Sequence, residues 1–364
     1  MNKDKGKNNN KNKLSLPFVS LCTPTFNRRP FIPFMIKCFE HQTYPKDRIE
    51  WIIIDDGSDP IEELVKNIPQ VKYFYYKEKM LLGKKRNLMH SKCSGDIIIY
   101  MDDDDYYPPS RISHAVDTLQ KNPSYLIAGS SEMHIYFDSR NSVFQCGPYK
   151  PYHSTAATFA FKKELLLQTS YDDGIALAEE HKFTKGYTIP LIQLDTLQSI
   201  LVFSHKHNSL NKETLLKNSE LTRTIPSRFT VDNFIKDPVL KQFYMYDMNK
   251  LLEDYEPGNP KYKPELLKQM KKIEEERATR LSDYSKQLEE HNKMLTVYNN
   301  ITNKDTNIDA NINANKNANK KIEIESIRNE YEKKLENKNI LINELLKRIK
   351  ALTTELSDYK SKYD

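Results

Sequence analysis

The segment IIIYMDDDDYYPPSRI, residues 97–112, runs from apolar side chains directly into four consecutive aspartates. Adjacent carboxylates repel one another, so the cluster is stable only if water solvates it or a cation neutralises it. The run Asp102–Asp105 is therefore a candidate cation site. An ordinary solvated surface is the alternative.

Two further polar segments follow apolar runs: TPTFNR at residues 23–28 and DDGSD at residues 55–59. Ligands of a doubly wound sheet bind where its strands end, because backbone amides and short polar side chains become available there. Taken alone, the Asp-Gly pair is a frequent turn and an acidic run is usually a solvated face. Three polar strand ends in succession nevertheless indicate a ligand site at one edge of a sheet.

The elements that must position these residues alternate between strands and helices from residue 14 to about residue 210. Four segments are typical of strands, namely FVSLCTP, WIIIDDGS, VKYFYYKE and DIIIYMDD, and two of helices, namely PFIPFMIKCFEHQ and GKKRNLMHSKC. Strands that are apolar along their whole length and separated by helices predict a parallel sheet with helices on both faces.

Charge is distributed unevenly along the 364 residues, whose formal net charge is +6. Residues 1–13 contain five lysines and one aspartate, and this composition predicts a disordered basic tail. The positive and negative charges of the remaining residues nearly balance, which argues against nucleic-acid binding. We expect no signal peptide and no transmembrane segment, because no apolar stretch is long enough. The four cysteines form no CxxC pair, so we expect a soluble or peripherally bound cytoplasmic protein.

The alternation of strand and helix segments ends at about residue 210. Residues 211–263 predict a helical connector interrupted by prolines, 264–298 a charged helix, and 299–320 a linker rich in asparagine and lysine. Heptad spacing in residues 321–364 favours a coiled coil, and hence a homo-oligomer. A single amphipathic helix packed on the α/β domain is the alternative.

The motifs of residues 14–210, taken in order, resemble the family 2 type of glycosyltransferase with the GT-A fold. The matching segments are TPTFNR (23–28), IIIDDGSDP (52–60), GKKRN (83–87), YMDDDDYYPPSRI (100–112), STAATFAFKKELL (154–166) and AEEHKF (178–183). The resemblance implies a Rossmann-like α/β domain with a mostly parallel sheet, followed here by a helical extension and the coiled coil.

The resemblance also implies a nucleotide-sugar site. It would comprise Pro24, Thr25, Phe26, Arg28, Asp55, Asp56, Lys84, Arg86, Asn87, Asp102 and Asp103. Asp55 or Asp56 would accept the imide hydrogen of uracil, with Phe26 beside the ring. Asp104 and Asp102 of the D-x-D element would hold Mn²⁺ or Mg²⁺, since these cations prefer oxygen ligands. An ordinary basic helix face remains the alternative for Lys84 and Arg86.

By the same resemblance, Glu180, with Glu179 next, is the candidate general base that deprotonates the acceptor hydroxyl. The segment departs from the commonest pattern, because it offers glutamate where the family has aspartate. His205 or His207 would complete the metal shell or contact phosphate. Two residues apart on a strand, both would lie on one face.

We therefore expect an inverting, metal-dependent hexosyl- or N-acetylhexosaminyl-transferase that uses a nucleotide sugar, most readily a UDP-sugar. No feature of the sequence indicates whether the acceptor is a glycan, a protein or a lipid. A catalytically degenerate GT-A domain that acts as a scaffold through its coiled coil is the alternative. A nucleotidyltransferase would require a glycine-rich, basic phosphate loop after the first strand, and TPTFNRRP lacks it.

Overall fold

The computed structural model describes residues 16–217 and 219–305 of the chain. The strands within these ranges are β1 (Val19–Thr25), β2 (Ile49–Asp55), β3 (Val71–Tyr75), β4 (Ile97–Tyr100), β5 (Ile127–Gly129), β6 (Met133–Phe137), β7 (Ser142–Cys146), β8 (Ala160–Lys162), β9 (Leu191–Gln193), β10 (Val202–Ser204) and β11 (Thr224–Pro226). The α-helices there are α1 (Ile32–Glu40), α2 (Glu62–Val65), α3 (Leu82–Lys92), α4 (Arg111–Lys121), α5 (Glu180–Phe183), α6 (Glu213–Lys217), α7 (Ser219–Thr222), α8 (Val231–Phe234), α9 (Pro238–Gln242), α10 (Met248–Asp254) and α11 (Pro264–Asp305).

A seven-stranded sheet in this part of the chain has the order β3-β2-β1-β4-β8-β5-β9. Strands β3, β2, β1 and β4 are parallel, and Thr25 at the end of β1 lies opposite Asp55 at the end of β2. β8 is antiparallel to both of its neighbours, β4 and β5. The predicted α/β domain with a mostly parallel sheet is confirmed. Because parallel strands end at the same edge, the loops after β1, β2 and β4 emerge side by side.

Helices cover both faces of this sheet, as the sequence predicted. In β2, Trp51 and Ile53 belong to an apolar core that also contains residues of α1 and α4. Ile52 and Ile54, which point to the opposite face, belong to a second core that contains residues of α3. All four side chains are fully buried. The uninterrupted apolar sequence of β2 thus follows from burial on both faces.

A second, four-stranded sheet among the described residues has the order β10-β6-β7-β11. β11 pairs antiparallel with β7 and comes from the region 211–263, for which the sequence predicted only a helical connector. The helices of that region are short, from α6 to α10. This region therefore combines short helices with an edge strand, and Pro226 is tolerated there because an edge strand leaves backbone donors unpaired.

The chain divides after Ala278 into two units, and the sheets described above belong to the first. α11 ends at Asp305, so it includes residues 299–305, for which the sequence predicted a linker. The predicted basic tail at 1–13, the rest of the linker and the coiled coil at 321–364 lie outside the described residues. Among the residues that were described, no helix is long and apolar enough to cross a membrane.

Candidate active site

A cavity of about 160 Å³ opens at the edge of the sheet where β1, β2 and β4 end. It is lined by Pro24, Thr25, Phe26, Arg28, Asp56, Lys79, Met80, Leu81, Leu82, Lys85, Arg86, Asp102, Asp103, Asp104, Ala176, Ser209, Lys263 and Leu266. Five of these side chains are basic and four are acidic. The three polar strand ends of the sequence therefore meet in one place, and the cavity is densely charged.

Arg28, in the loop after β1, lies beside the aspartates that follow β4. Arg28 is 4% exposed, and its guanidinium lies 3.6 Å from a carboxylate oxygen of Asp103 and 3.2 Å from one of Asp104. It also donates a 2.9 Å hydrogen bond to the backbone oxygen of His207. The backbone turns at Asn27 with φ of 53°, a conformation that asparagine tolerates better than most residues. Arg28 thus neutralises part of the acidic cluster.

The two aspartates at the end of β2 have different surroundings. The carboxylate of Asp55 accepts hydrogen bonds from the amides of Gly57 and Ile61 and from the hydroxyl of Tyr73, and it does not line the cavity. Burial raises the pKa of Asp55. Asp56 does line the cavity. Of the two aspartates predicted to contact a nucleobase, only Asp56 is therefore positioned to do so.

Asp56 is held by an ion pair with Lys85, a residue that the sequence analysis did not name. The ammonium of Lys85 lies 2.5 Å from one oxygen of Asp56 and 2.8 Å from the backbone oxygen of Thr25. The amide of Met80 donates to the other oxygen of Asp56 at 2.7 Å. Lys84, which was predicted instead, is exposed on α3 and lies outside the cavity. This prediction is corrected to Lys85, because adjacent residues of a helix point about 100° apart.

Arg86, the next residue of α3, lines the cavity as predicted from the resemblance. Its Nε donates a 2.8 Å hydrogen bond to Glu179, and its guanidinium lies 3.8 Å from Asp102 and 4.4 Å above the ring of Tyr100. Burial alone would lower the pKa of Arg86, but the negative charges of Glu179 and Asp102 raise it well above its usual value. Asn87 instead holds the backbone of Tyr171 and lies outside the cavity.

The four aspartates after β4 divide into three that line the cavity and one that does not. Burial and the charge of Asp104 raise the pKa of Asp103 to about 7. Burial would also raise the pKa of Asp104, but Arg28 and His205 lower it below its usual value. Asp105 turns into the protein, where its carboxylate accepts from the amide of Phe203 at 3.2 Å.

The two predicted histidines follow the end of β10 and do not share a strand face. Nε2 of His205 lies 3.2 Å from a carboxylate oxygen of Asp104, and burial lowers the pKa of His205 to about 4, so the imidazole is neutral near pH 7. The amide of His205 donates to the side chain of Asn208, which forms a turn. His207 is buried beside Gly258 and lies outside the cavity. The turn therefore separates the two rings.

Neither predicted base lines the cavity. Glu179 is 5% exposed and pairs with Arg86, which lines the cavity. Glu180 begins α5, and burial together with the charge of Glu179 raises its pKa to about 7. Such a carboxyl group exchanges its proton near neutral pH, as a general base requires.

The donor atoms near Asp104 fit a hard divalent cation that takes further ligands from substrate. Oδ1 of Asp102 is buried without a hydrogen-bond partner among the described residues, and the neutral His205 contacts Asp104. In the same residues, no three His, Cys, Asp or Glu side chains converge as a complete metal site. Mg²⁺ and similar cations are commonly held by one or two carboxylates together with substrate phosphates and water, and this set matches that pattern.

Eight cavity residues besides Lys85 were not named from the sequence: Lys79, Met80, Leu81, Leu82, Ala176, Ser209, Lys263 and Leu266. Lys85 lies inside the GKKRN segment, but that segment alone does not show which of its two lysines faces the cavity. Lys263 and Leu266 come from the end of the predicted connector and the start of the charged helix, far along the chain from the other cavity residues. Only the folded chain brings them to the site.

Residues 20–169 match the family model described as Glycosyl transferase family 2. An uncharacterized glycosyltransferase of Haemophilus influenzae is 27% identical over 122 residues, which are 32% of this chain and 48% of that protein. The GalNAc(5)-diNAcBac-PP-undecaprenol beta-1,3-glucosyltransferase of Campylobacter jejuni is 32% identical over 114 residues, which are 29% of this chain and 34% of that protein. The match thus spans about half of the first relative and about a third of the second.

The chain is also similar to the solved structure of S. aureus TarS 1-349 in complex with UDP-GlcNAc, at a TM-score of 0.44 and 18% identity over 51% of this chain and 58% of that one. The mannosyltransferase PcManGT from Pyrobaculum calidifontis, in complex with GDP-Man and Mn²⁺, has a TM-score of 0.43 and 16% identity over 65% of this chain and 71% of that one.

Proposed function

We propose that this protein transfers a sugar from a nucleotide-sugar donor to an acceptor hydroxyl, because residues 20–169 match the Glycosyl transferase family 2 model. The observation that carries the proposal is the cavity where the loop after β2, the start of α3 and the aspartates after β4 meet. A nucleoside diphosphate matches this cavity chemically, since its phosphates are complementary to the five basic side chains.

We place the nucleobase next to Asp56 and the diphosphate next to the aspartates after β4. Although Asp56 already accepts from Lys85 and Met80, a carboxylate has about four acceptor positions, so it can also accept the imide N–H of uracil. This supports a UDP-sugar as the donor. As the sugar bond breaks, Arg28 and Arg86, fixed by their ion pairs, stabilise the negative charge that grows on the diphosphate.

We further propose that the site uses Mn²⁺ or Mg²⁺. Asp104 would hold the cation, with Asp102 and His205 as further ligands, and it would supply electrostatic stabilisation of the leaving diphosphate when bound. Two observations support this assignment: Oδ1 of Asp102 has no hydrogen-bond partner among the described residues, and the ring of His205 beside Asp104 is neutral near pH 7. His207 lies outside the cavity and is not part of it.

For the acceptor, we propose inversion of the anomeric centre with Glu180 as the general base. Its pKa of about 7 favours this role. Glu179 is instead a positioning residue, because its carboxylate is engaged by Arg86 and both side chains are buried. The acceptor itself would approach from the side of α5, where Glu180 is only partly buried.

The test is a donor screen that measures nucleoside diphosphate release from a panel of nucleotide sugars, with Mn²⁺ present or chelated. We expect release from one donor that chelation abolishes and that Asp104→Asn lowers by about 100-fold. Asp117→Asn, an exposed aspartate on α4, is the matched control and should retain full activity.

Nucleotide binding is measured in the same samples, because release can require an acceptor. If the chain binds a nucleotide but releases no nucleoside diphosphate, the proposal stands and the assay is repeated with candidate acceptors. If the chain neither binds nor releases any nucleotide, the proposal is wrong and the scaffold alternative is favoured.

A further inference from the structure

One wall of the cavity comes from a segment far beyond the residues that match the family model. The family match ends at residue 169, yet Lys263 and Leu266 line the cavity. They belong to the segment 255–269, which we call the closing segment; it ends in the first turns of α11. Leu266 is 4% exposed, so the segment is packed in place.

Specific hydrogen bonds hold the closing segment on the loops that form the cavity. Asn27, in the loop after β1, donates from its side-chain amide to the backbone oxygen of Pro257 at 2.9 Å. Tyr255 donates from its hydroxyl to Asp59, in the loop after β2, at 2.9 Å. The start of the closing segment is therefore fixed to two of the three loops that carry the predicted site.

Further hydrogen bonds fix the rest of the segment. Lys79 donates to the backbone oxygen of Tyr262 at 3.0 Å. The side chain of Gln269 accepts from the amide of Ala176 and donates to the backbone oxygen of Gly174, both at 2.9 Å. Because these bonds flank Lys263 on both sides, its position at the cavity wall is set by the fold.

Lys263 is one of three lysines that crowd around the ring of Phe26. The ammonium nitrogens of Lys79, Lys263 and Lys85 lie 4.7, 5.5 and 6.0 Å from the ring centroid. Lys85 pairs with a carboxylate, whereas the hydrogen bond described for Lys263 goes to the neutral hydroxyl of Ser209 at 3.2 Å. The part of the cavity around Phe26 is therefore rich in positive charge, with Asp56 as the carboxylate paired to Lys85, and an anionic ligand would offset the excess.

The lowered pKa of Lys263 is consistent with its position among other positive charges. Burial, followed by the positive charge of Arg28, lowers its pKa to about 7. A bound anion would offset both effects, because it restores a favourable partner for the ammonium group. Asp103 and Asp104 act in the opposite direction, but burial and Arg28 outweigh them. A phosphate bound beside Lys263 would therefore favour its charged form.

We propose that Lys263 is a donor-binding residue that contacts the diphosphate of a nucleotide held in the cavity, so that the closing segment completes the site. The inference rests on the proposed function, since it assigns a ligand contact in the same cavity. It adds a binding residue outside the family domain and makes donor affinity depend on the start of α11.

The test is a calorimetric titration of the full chain with UDP, GDP, CDP and ADP in the presence of Mn²⁺. For the nucleotide that the wild-type chain binds most tightly, we expect Lys263→Ala to raise Kd about tenfold, which corresponds to about 1.4 kcal/mol. Lys261→Ala is the matched control, because Lys261 is exposed, lies two residues away and pairs with Glu256. It should leave Kd unchanged.

Two further measurements distinguish a phosphate contact from a structural role. Lys263→Gln removes the charge but keeps a polar side chain, one atom shorter than lysine, that can still donate a hydrogen bond. It should therefore weaken binding as the alanine variant does while retaining the wild-type melting temperature. Binding to Lys263→Ala should also depend less steeply on salt concentration.

If the wild-type chain binds nucleotide and both Lys263 variants bind it equally well, the inference is wrong. If the wild-type chain binds none of the four nucleotides, the proposed function fails and the inference fails with it. The wild-type titration therefore separates the two failures.

Discussion

Removing one partner of the buried ion pair between Arg86 and Glu179 should destabilise the domain far more than breaking an exposed ion pair. Its two side chains are 3% and 5% exposed, and the Nε to Oε1 distance is 2.8 Å. The pair connects α3 to the residue before α5. Because the nearest other carboxylate, Asp102, is 3.8 Å from Arg86, it compensates poorly for a loss of Glu179.

Glu179→Ala leaves the guanidinium of Arg86 buried without its hydrogen-bonded partner. Removing one partner of a buried pair costs about 3–5 kcal/mol, so we expect the free energy of unfolding to fall by that amount. Glu179→Gln should cost less, about 1–3 kcal/mol, because the amide oxygen can still accept from Nε of Arg86. The expected order of stability is wild type, glutamine variant, alanine variant.

Urea denaturation followed by tryptophan fluorescence measures these differences directly. Trp51 is the single tryptophan of the chain and is fully buried in β2, so its emission reports on this domain. The matched control is Lys182→Ala, which breaks a 2.7 Å pair with Asp172 whose side chains are 59% and 37% exposed. This control should cost far less than Glu179→Ala, because exposed ion pairs contribute little to stability. Equal costs for Glu179→Ala and Lys182→Ala would refute the reasoning.

Three further predictions use variants chosen in the same way. Lys85→Ala removes the partner of a buried carboxylate and should weaken nucleotide binding by about tenfold or more, whereas Lys84→Ala on the exposed side of α3 should not; equal Kd values would contradict the assignment. Gly57→Ala would place a Cβ 2.5 Å from a side-chain oxygen and should cost about 1–3 kcal/mol in urea denaturation, whereas Gly174→Ala, with its nearest atom at 3.3 Å, should cost less than about 1 kcal/mol. Because a base must be unprotonated and burial raises the pKa of Glu180 to about 7, turnover should rise as pH increases through that value; a rate that is flat there, or a rise that persists in Glu180→Gln, would exclude this residue as the base.

The parallel half of the sheet could be predicted from sequence because its signals are local. β1, β2 and β4 are short runs of buried residues, and each carries its polar loop directly behind it. The short strand β8 has no such signal. It has three residues, and its antiparallel place between β4 and β5 depends on contacts more than 30 residues away along the chain. β11 likewise has three residues and lacks a local signal, and it pairs with the distant strand β7.

For the site, the sequence identified the right loops but not always the right residue within them. The change from Lys84 to Lys85, and the choice between Asp55 and Asp56, each concern a single position. One step along a helix turns a side chain by about 100°, so the motif GKKRN alone does not determine which lysine faces the cavity. Lys263 had no local signal, because the contacts that place it join segments about 90 to 230 residues apart.

The four consecutive aspartates are stabilised by arginine side chains of the protein and, for Asp105, by protonation. Arg28 lies beside Asp103 and Asp104, and Arg86 lies beside Asp102. Burial raises the pKa of Asp105 well above its usual value, which favours its protonated form. The protein therefore supplies counter-charges of its own, and repulsion within the cluster does not by itself require a cation. The case for Mn²⁺ or Mg²⁺ depends instead on the donor atoms and on the diphosphate that would share the cation, so a variant that removes an oxygen ligand tests it more directly than one that only changes net charge.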